Sequence, residues 1–288
     1  MRWPDGWGRR PAVMGVLNIT PDSFSDGGRY FDPSAALSQG QAMVKAGADL
    51  LDLGAQSTRP GAEEVGASVE IARLIPVLKA LRDRCPELIL SVDTFLAPVA
   101  EAALAAGADW INDISGGRRD PGMLPLIAST GCPFVLMHSR GDSQTMDALT
   151  DYGVEGVVQG VIRELRIDTE RALAEGVTQD QLLWDPGLGF AKTTEQNLEL
   201  IRHLERLTDQ GIPVLLGPSR KRFIGAVLDE PRPRARLWGT AAVCSRAVSA
   251  GVAVLRVHDV GPIRQIADMS AAIRPVKEHH VTTPNPSL

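Results

Sequence analysis

The 288-residue chain has few cysteines and no long apolar run. Its three cysteines, Cys85, Cys132 and Cys244, lie far apart, so neither a disulfide framework nor a paired-cysteine metal site is indicated. Sparse cysteine is typical of a reducing cytoplasm, where we expect this protein to reside. No stretch of about 18 apolar residues occurs, and residues 1–10 lack the apolar segment of a signal peptide, so we expect neither membrane insertion nor export.

An excess of basic residues is also missing. The 30 lysines and arginines are outnumbered by 35 acidic residues, which gives a net charge of -5. A broad positive surface for nucleic acid or for an anionic membrane is therefore not expected. An anionic ligand would have to be held by a few cations at defined positions.

Short apolar segments alternate with longer helical patterns along most of the chain. The predicted strands cover residues 12–19, 49–54, 88–92, 110–114, 134–137, 182–184, 213–217 and 254–257. The predicted helices cover residues 33–46, 63–84, 97–106, 123–129, 154–175, 194–210 and 233–250. Because the strands are apolar on consecutive residues, they are typical of a parallel sheet covered by helices.

Eight strand signals with intervening helices in about 250 residues predict an α/β fold, a single (β/α)8 TIM barrel. The alternative is a doubly wound open sheet, which is expected to carry a glycine-rich phosphate loop after its first strand, and the sequence has none there. Residues 11–274 are taken as the barrel because no change in composition divides them. Residues 1–10 are predicted to be an irregular lead-in and residues 275–288 a flexible C-terminal tail.

Polar residues follow or interrupt the apolar strands, at the positions where such barrels bind ligands. They are Asn18, Asp52, Asp93, Asn112, Asp113, His138, Asp185, Ser219, Arg220, Lys221, Arg256, His258 and Asp259. Any single Ser, Asp or Asn here could instead cap the following helix. Capping does not explain Lys221, Arg256 or His258, so a shared pocket is the better interpretation.

One part of this predicted pocket suits a flat heterocycle. Asp93, Asn112 and Asp185 offer carboxylate and amide groups, and Lys221 offers a cation. Carboxylates can accept two donors side by side, such as a ring N–H and an amino group. A donor-rich heterocycle such as a pterin or a purine would fit this arrangement.

A second, cationic group suits an anion. Arg59 follows the second strand together with the hydroxyl residues Ser57 and Thr58, while Arg256 interrupts the last strand and His258 follows it. Arginine presents a rigid fork to phosphate oxygens, and the hydroxyls add donors. Surface ion pairing is the alternative for these arginines, but their positions at strand ends favour an anion site.

The first strand ends at Asn18 and opens into an acidic loop, residues 20–28, that ends in two glycines. Asn18 could supply an oxygen to Mg²⁺, which usually keeps several waters and bridges substrate phosphates. The loop, with Phe24, Asp22 and Asp26, is predicted to be a mobile lid that swings over the site after substrates bind.

Two other segments have simpler explanations. Residues 187–193 look like a phosphate-binding loop, but Pro186 and Ala191 stand where that motif needs glycine. His279 and His280 lie in the polar tail, where a solvent-exposed pair is favoured over a metal site.

Most of the candidate residues fall in eight motifs that occur in one order over nearly the whole chain. These are LNITPDSFSDGG (residues 17–28), STRPG (57–61), SVDT (91–94), INDISGG (111–117), MH (137–138), DPGLGF (185–190), SRK (219–221) and RVHD (256–259). On these motifs the chain resembles the dihydropteroate synthase family of pterin-binding TIM barrels. No single motif would be specific, but eight in the same order are.

The resemblance implies a transferase of folate biosynthesis. Members of the family join 4-aminobenzoate to 6-hydroxymethyl-7,8-dihydropterin diphosphate and release 7,8-dihydropteroate and diphosphate. It also implies Mg²⁺ as the cofactor, a homodimer as the usual assembly, and sulfonamides as competitors for the aminobenzoate site.

By motif position, the resemblance further implies the role of each candidate residue. The pterin would be bound by Asp93, Asn112, Asp185 and Lys221. The diphosphate would be bound by Asn18, Thr58, Arg59, Arg256 and His258, with Asn18 as the metal ligand. The aminobenzoate would be bound by Phe24, Thr58, Pro60, Phe190 and Ser219, and catalysis would depend on Asp93, Asp185, Lys221 and Arg256.

The chemistry of this reaction predicts an ionising displacement. The nucleophile is a weakly basic aryl amine that is already neutral, so a general base is hardly needed. Catalysis should mostly stabilise the departing diphosphate, through Mg²⁺ and the cationic residues. Asp93 and Asp185 would favour cationic character on the pterin methylene, with the aminobenzoate bound after, or on top of, the diphosphate.

The sequence departs from the family pattern in a few places. Residues 52–56 lack a common Gly-Glu pair, and Ser139, Pro218 and Ala191 stand where Met, Thr and Gly are frequent. None of these departures involves an assigned ligand residue, so they bear on loop rigidity and fine specificity.

Two other functions are compatible with a pterin-binding barrel. A pterin-binding methyltransferase, which moves a folate methyl group to a corrinoid, would have no need for Arg59, Arg256 and His258. A catalytically silent pterin-binding or scaffold paralogue would be expected to have lost a key polar residue, and none is lost here.

Overall fold

The computed structural model describes residues 1–20, 33–56 and 65–273, which form eight parallel strands surrounded by helices. The strands are β1 (Ala12–Asn18), β2 (Leu50–Gly54), β3 (Ile89–Asp93), β4 (Trp110–Asp113), β5 (Phe134–Met137), β6 (Leu182–Asp185), β7 (Leu215–Leu216) and β8 (Val254–Val257). The α-helices among these residues are α1 (Pro33–Lys45), α2 (Ala67–Arg84), α3 (Ala97–Ala105), α4 (Met123–Thr130), α5 (Gly156–Ala174), α6 (Thr194–Arg202), α7 (Glu205–Thr208), α8 (Arg222–Leu228), α9 (Leu237–Ser249) and α10 (Val260–Ile273).

The sheet closes on itself. Neighbouring strands are hydrogen-bonded in the order β6-β5-β4-β3-β2-β1-β8-β7. The gap between β6 and β7 is bridged by Trp184 and Val214, and the Trp184 N–H donates to Pro213 O over 2.9 Å. A doubly wound sheet would have two open edges, whereas each strand here has two neighbours. The predicted (β/α)8 barrel is therefore confirmed.

Alternate residues of each strand face either the barrel interior or the helices. At the amino-terminal end the interior is filled by an apolar cluster made of Ala12, Met14, Leu50, Ile89, Trp110, Val135, Leu183, Leu215 and Val254. The intervening residues, such as Val13 and Leu51, pack against the helices in a second and larger cluster. Burial on both faces explains why the strands are apolar on consecutive residues.

The helices differ from the predicted pattern in three places. The helix predicted over residues 194–210 ends at Arg202 and is followed by the short α7, so His203 lies at a helix end and is exposed. The sequence patterns did not predict α8 or α10. In α10 the pair Gly261-Pro262 indicates a turn, but proline is tolerated in a first helical turn because its missing N–H needs no partner there.

Two helix–strand connections share the sequence Ala-Gly-Ala-Asp, at residues 46–49 and 106–109. Asp49 accepts the N–H of Val13 over 2.8 Å, and Asp109 accepts the N–H of Leu90 over 2.9 Å. Each carboxylate also pairs with an arginine of a neighbouring helix. The repeated aspartate thus ties the start of one strand to the strand before it and to the helical layer.

Residues 1–10 form turns that cover the amino-terminal end of the barrel. The rings of Trp3 and Trp7 lie 4.5 Å apart between centroids, and they lie 5.1 Å and 6.1 Å from the ring of Trp110. The Trp110 indole N–H donates to Arg2 O over 2.8 Å. Aromatic side chains thus close this end, so a ligand has to enter from the carboxyl end of the strands.

The predicted domain boundaries stay predictions, and the predicted tail, residues 275–288, lies outside the described residues. Among the helices that are described, none combines the length and the apolar character that a bilayer-spanning segment requires.

Removing Trp3 should weaken the closed end of the barrel. Trp3→Ala deletes an aromatic side chain that packs on Trp7 and Trp110, so the free energy of unfolding should fall by about 2 kcal/mol. Trp3→Phe is the matched control, because it keeps a ring in the stack and should lose less than about 1 kcal/mol. Urea denaturation followed by circular dichroism measures both, and equal losses would contradict the stacking.

Candidate active site

The carboxyl end of the barrel carries polar side chains on its interior face. Steps of two residues from the apolar interior positions lead to Asn18, Asp52, Asp93, Asn112, Asp185 and Arg256. Strand register sets Asp93 beside Asn112 and Asp52 beside Ser91. The alternation that fills one end of the barrel with apolar residues therefore gathers charged and amide groups at the other.

Arg256 links two carboxylates across the barrel interior. Its Nε donates to Asp52 Oδ2 over 2.6 Å and its Nη2 donates to Asp93 Oδ2 over 2.7 Å. The Asp52 side chain is fully buried, and that of Arg256 is 22% exposed. A guanidinium on β8 thus holds carboxylates on β2 and β3, so the predicted pterin group and the predicted anion group are joined.

Asp52 is the centre of this network. It also accepts the Ser91 hydroxyl over 2.6 Å and the Asn112 amide N–H over 3.0 Å. Asp52 is one of the strand-end residues, but the sequence motifs assign it no role. Its position inside an apolar strand nevertheless indicates a buried partner, because a carboxylate is costly to bury unless it is paired.

The pKa values of the Arg256–Asp93 pair reflect burial and mutual charge. Burial raises the pKa of Asp93 to about 7, while the charge of Arg256 opposes this shift and that of Asp52 adds to it. Burial also disfavours the charged form of Arg256, but Asp52 and Asp93 outweigh it and raise the pKa of the guanidinium. Arg256 is therefore a permanent cation in this site.

A second wall of the site is formed by Asp185, Lys221 and Phe190. Asp185 Oδ1 accepts the N–H of Gly187 over 2.7 Å, and burial raises the pKa of this carboxyl. Lys221 Nζ lies 4.2 Å from the centre of the Phe190 ring. Burial lowers the pKa of Lys221 to about 8, against the charge of Asp185, so the amine is mostly protonated at neutral pH.

In the loop after β7, Arg220 has a strained backbone, and the side chains of Arg220 and Lys221 point to different partners. Arg220 has a φ of 63°, a left-handed conformation that is unusual for a residue with a side chain. Its guanidinium pairs with Asp259 over 2.7 Å, while Lys221 turns toward Phe190. One left-handed residue thus directs neighbouring cations to different partners.

His258 is neutral, which corrects the prediction of a cationic histidine in the anion group. Burial, together with the charges of Arg220 and Arg256, lowers the pKa of its imidazole to about 3. The Ser219 hydroxyl oxygen accepts the main-chain N–H of His258 over 3.2 Å and lies 3.0 Å from His258 Nδ1. We assign the ring proton to Nε2, with the Ser219 hydroxyl donating to Nδ1.

Several predicted site residues lie outside the described residues: Asp22, Phe24, Asp26, Thr58, Arg59 and Pro60. Asn18 is described, and register sets it beside Gly54, which in turn lies beside Asp93. Within residues 1–20, 33–56 and 65–273, no cluster of three or more His, Cys, Asp or Glu side chains could hold a metal ion.

Ala191, one of the departures from the family pattern, has a φ of 49° and is fully buried. Left-handed backbone costs a residue with a Cβ about 1–2 kcal/mol, so glycine is the less strained residue at this position. The main-chain carbonyl of Ala191 accepts the hydroxyl of Tyr152 over 3.1 Å, which helps to hold this conformation.

A family model described as "Pterin binding enzyme" matches residues 14–258. The dihydropteroate synthase of Synechocystis sp. is 48% identical over 271 residues, which are 93% of this chain and 91% of that protein. The chain belongs to the dihydropteroate synthase family. The folic acid synthesis protein of Pneumocystis carinii is 42% identical over 91% of this chain, which spans only 36% of that longer relative.

Solved structures of the family have the same fold. The Xanthomonas albilineans dihydropteroate synthase with 4-aminobenzoic acid is 42% identical, with a TM-score of 0.86, and the match covers 93% of this chain and 95% of that one. The same enzyme in complex with 7,8-dihydropteroate is 40% identical, with a TM-score of 0.82 and the same coverage. The predicted family, its folate-pathway transferase activity and its barrel fold are thereby confirmed.

Gly187→Ala should destabilise the loop that holds Asp185. Gly187 has a φ of 65°, and a Cβ there would lie 2.0 Å from His138 O. Gly131 has a φ of 67° with nothing within 4 Å of a Cβ, so Gly131→Ala is the matched control. We expect a loss of about 1 kcal/mol for the control, and about 2–3 kcal/mol more for Gly187→Ala. Equal losses in urea denaturation would contradict the steric argument.

Arg256→Leu should leave two buried carboxylates without their cation and lower the free energy of unfolding by about 3 kcal/mol at pH 8. Unpaired and buried, they should have pKa values raised above those of the unfolded chain, so the folded variant binds more protons and stability falls as pH rises. The loss should therefore be smaller at pH 5.

The matched control for this variant is Arg246→Leu, because Arg246 pairs with Glu205 on the surface. It should lose less than about 1 kcal/mol, with little dependence on pH. Urea denaturation at pH 5 and pH 8 compares the two variants. If the loss from Arg256→Leu were the same at both values of pH, the ion pairs of Arg256 with Asp52 and Asp93 would not stabilise the fold by neutralising buried carboxylates.

Proposed function

We propose that the protein condenses 6-hydroxymethyl-7,8-dihydropterin diphosphate with 4-aminobenzoate and releases 7,8-dihydropteroate and diphosphate. The observation that carries this proposal is the interior polar layer of a family barrel, in which Arg256 joins the Asp52 and Asp93 carboxylates. This layer combines acceptors for a donor-rich heterocycle with a permanent cation for its diphosphate.

The pterin ring is held by Asp93, Asn112, Asp185 and Lys221. The Asn112 amide N–H is used by Asp52, so its oxygen is the group that faces a ring N–H. Asp185 uses Oδ1 for Gly187, which leaves Oδ2 for the ligand. Lys221, above the Phe190 ring, supplies an ammonium donor to an acceptor atom of the ring.

The diphosphate meets Arg256 and the Nε2–H of His258, with Thr58 and Arg59 completing the site. A neutral histidine donates a hydrogen bond without adding charge, so Arg256 is the cation that we assign among the described residues. In the bound state Arg256 shares its guanidinium between phosphate oxygens and the carboxylates that hold it.

Mg²⁺ is the proposed cofactor, with Asn18 as its ligand from the described residues. The amide oxygen of Asn18 is a hard oxygen donor of the kind that Mg²⁺ prefers, and Asn18 ends β1 beside Gly54 at the carboxyl end of the barrel. When bound, the ion neutralises charge that develops on the departing diphosphate.

The reaction is an ionising displacement. Departure of the diphosphate breaks the bond from the methylene carbon to oxygen, and the aryl amine nitrogen then forms the new bond and loses its proton to solvent. Asp93 and Asp185, as carboxylates, stabilise positive charge on the pterin in the transition state. Burial raises the pKa of both groups, to about 7 for Asp93, and the charges of Arg256 at both carboxyls and of Lys221 at Asp185 oppose that rise and favour the carboxylate forms.

The aminobenzoate binds above the pterin, at the rim, against Phe190 and Ser219, with Phe24, Thr58 and Pro60 as the remaining proposed contacts. A homodimer, a cytoplasmic location, closure of the 20–28 loop through Asp22 and Asp26, and competition by sulfonamides belong to the same proposal. The methyltransferase alternative is disfavoured because Arg256 occupies the centre of the site.

The proposal predicts formation of labelled dihydropteroate from the pterin diphosphate and labelled 4-aminobenzoate in the presence of Mg²⁺. Asp93→Asn removes a carboxylate from the transition state and should lower kcat/KM by about 100-fold or more. Asp83→Asn, the same change on an exposed turn of α2, is the control and should leave turnover unchanged. No product under conditions where a known synthase is active would reject the proposed function.

A further inference from the structure

The segment that resembles a phosphate loop in sequence holds its own lysine in a buried site. Lys192 Nζ lies 2.9 Å from His138 Nδ1, 3.1 Å from Gly187 O and 2.9 Å from Phe190 O. The residue is 9% exposed. An ammonium has three N–H donors and no lone pair, so these three acceptors satisfy it completely. Lys192 therefore has no donor left for a ligand.

The hydrogen bonds around His138 make it an acceptor for Lys192. Its Nε2 lies 3.0 Å from Glu164 Oε2, so Nε2 carries the proton and Nδ1 presents its lone pair to the ammonium. Burial, with the charge of Lys192, lowers the pKa of His138 to about 3, so the ring is neutral. Arg140 donates from Nε to Glu164 Oε2 over 3.0 Å and neutralises that carboxylate.

Burial lowers the pKa of Lys192 to about 7, while the charge of Asp185 favours its ammonium form. The neighbouring charges that disfavour the ammonium are those of Arg140 and Lys221. Because three acceptors surround Nζ, loss of the proton would leave one acceptor without a donor, at a cost typical of a buried unpaired polar group. The hydrogen-bond geometry therefore favours the charged form in the folded chain.

The two carbonyls that Lys192 holds belong to a single turn. The Phe190 N–H donates to Gly187 O over 3.0 Å, which closes the turn. At one end, the Gly187 N–H holds Asp185 over 2.7 Å. At the other end, the Phe190 ring lies under Lys221. One ammonium thus fixes a turn that holds both Asp185 and Phe190 in the second wall of the proposed substrate site.

We propose that Lys192 is a positioning residue, which orients Asp185 toward the pterin and Phe190 toward the aminobenzoate by holding the carbonyls of the 187–190 turn, with His138 as its third acceptor. The identity of the two ligands rests on the proposed function. Lys192 touches neither ligand, because its donors are used within the protein.

Lys192→Met tests this role, since it keeps the length of the side chain and removes its donors. With the turn released, the KM for 4-aminobenzoate and the Kd for a free pterin should each rise on the order of 10-fold to 100-fold, as expected when contact groups shift by about 1 Å. The exposed helical Lys79 gives the matched control, and Lys79→Met should change neither value. Unchanged affinities in a folded Lys192→Met protein would overturn the proposal.

A pair of His138 variants separates positioning from a general loss of packing. H138N introduces a short amide side chain that can present its oxygen close to the position of Nδ1, whereas the longer side chain of H138Q presents its amide near the position of Nε2.

Both variants remove an imidazole from the same buried site, so their thermal stabilities should fall by similar amounts. H138N should keep pterin and aminobenzoate affinities within about 3-fold of the parent protein, whereas H138Q should lose them as Lys192→Met does. Equal losses in both variants would mean that the Lys192–His138 hydrogen bond does not position the substrates.

The failure of this inference can be told apart from failure of the proposed function. If the unmodified protein forms no dihydropteroate, the function is wrong, and the crystal structure of Lys192→Met still decides the role of Lys192. A displaced 187–190 turn with an altered Asp185 rotamer supports positioning. An unchanged turn contradicts it, whatever the activity of the parent protein.

Discussion

Two carboxylates are kept out of water at the carboxyl end of the barrel because one guanidinium neutralises part of their charge. Burying an ionised carboxylate is costly, and a buried pair is stable only when its remaining oxygens are also hydrogen-bonded. Ser91 and Asn112 meet that requirement for Asp52, and Arg256 links it to Asp93. Carboxyl groups held in this way present acceptor oxygens to the donor groups of a ligand.

The catalytic end has two walls with different supports. On one wall, ion pairs between side chains of β2, β3 and β8 hold the groups in place. On the other, main-chain contacts hold them, because Asp185 is fixed by the Gly187 N–H. Lys221 links the walls electrostatically, since the charges of Asp185 on its own wall and of Asp93 on the other both favour its ammonium form. A ligand between the walls meets groups that are already oriented, which lowers the cost of binding.

Much of this arrangement could be predicted locally, because consecutive apolar residues indicate doubly covered parallel strands and a polar residue that ends such a strand faces the ligand end. Asp93 and Asp185 follow that rule, and Asn112 is the last residue but one of β4. The partners of Asp52 could not be predicted this way, since Arg256 is 204 residues away in the chain. The neutrality of His258 depends on burial and on two arginine charges, which spacing does not report. In sequence Lys192 belongs to an imperfect phosphate loop, and only the folded turn reveals its acceptors.

The tryptophans that close the amino-terminal end of the barrel have a consequence for hydration. Because Trp3, Trp7 and Trp110 cover a packed apolar interior at that end, water displaced by an incoming ring leaves at the carboxyl end of the barrel. Ligand entry and the release of water from the site therefore take place at the same end of the barrel. The strongly hydrated diphosphate product also leaves at this end, so water leaves and re-enters the site in each turnover.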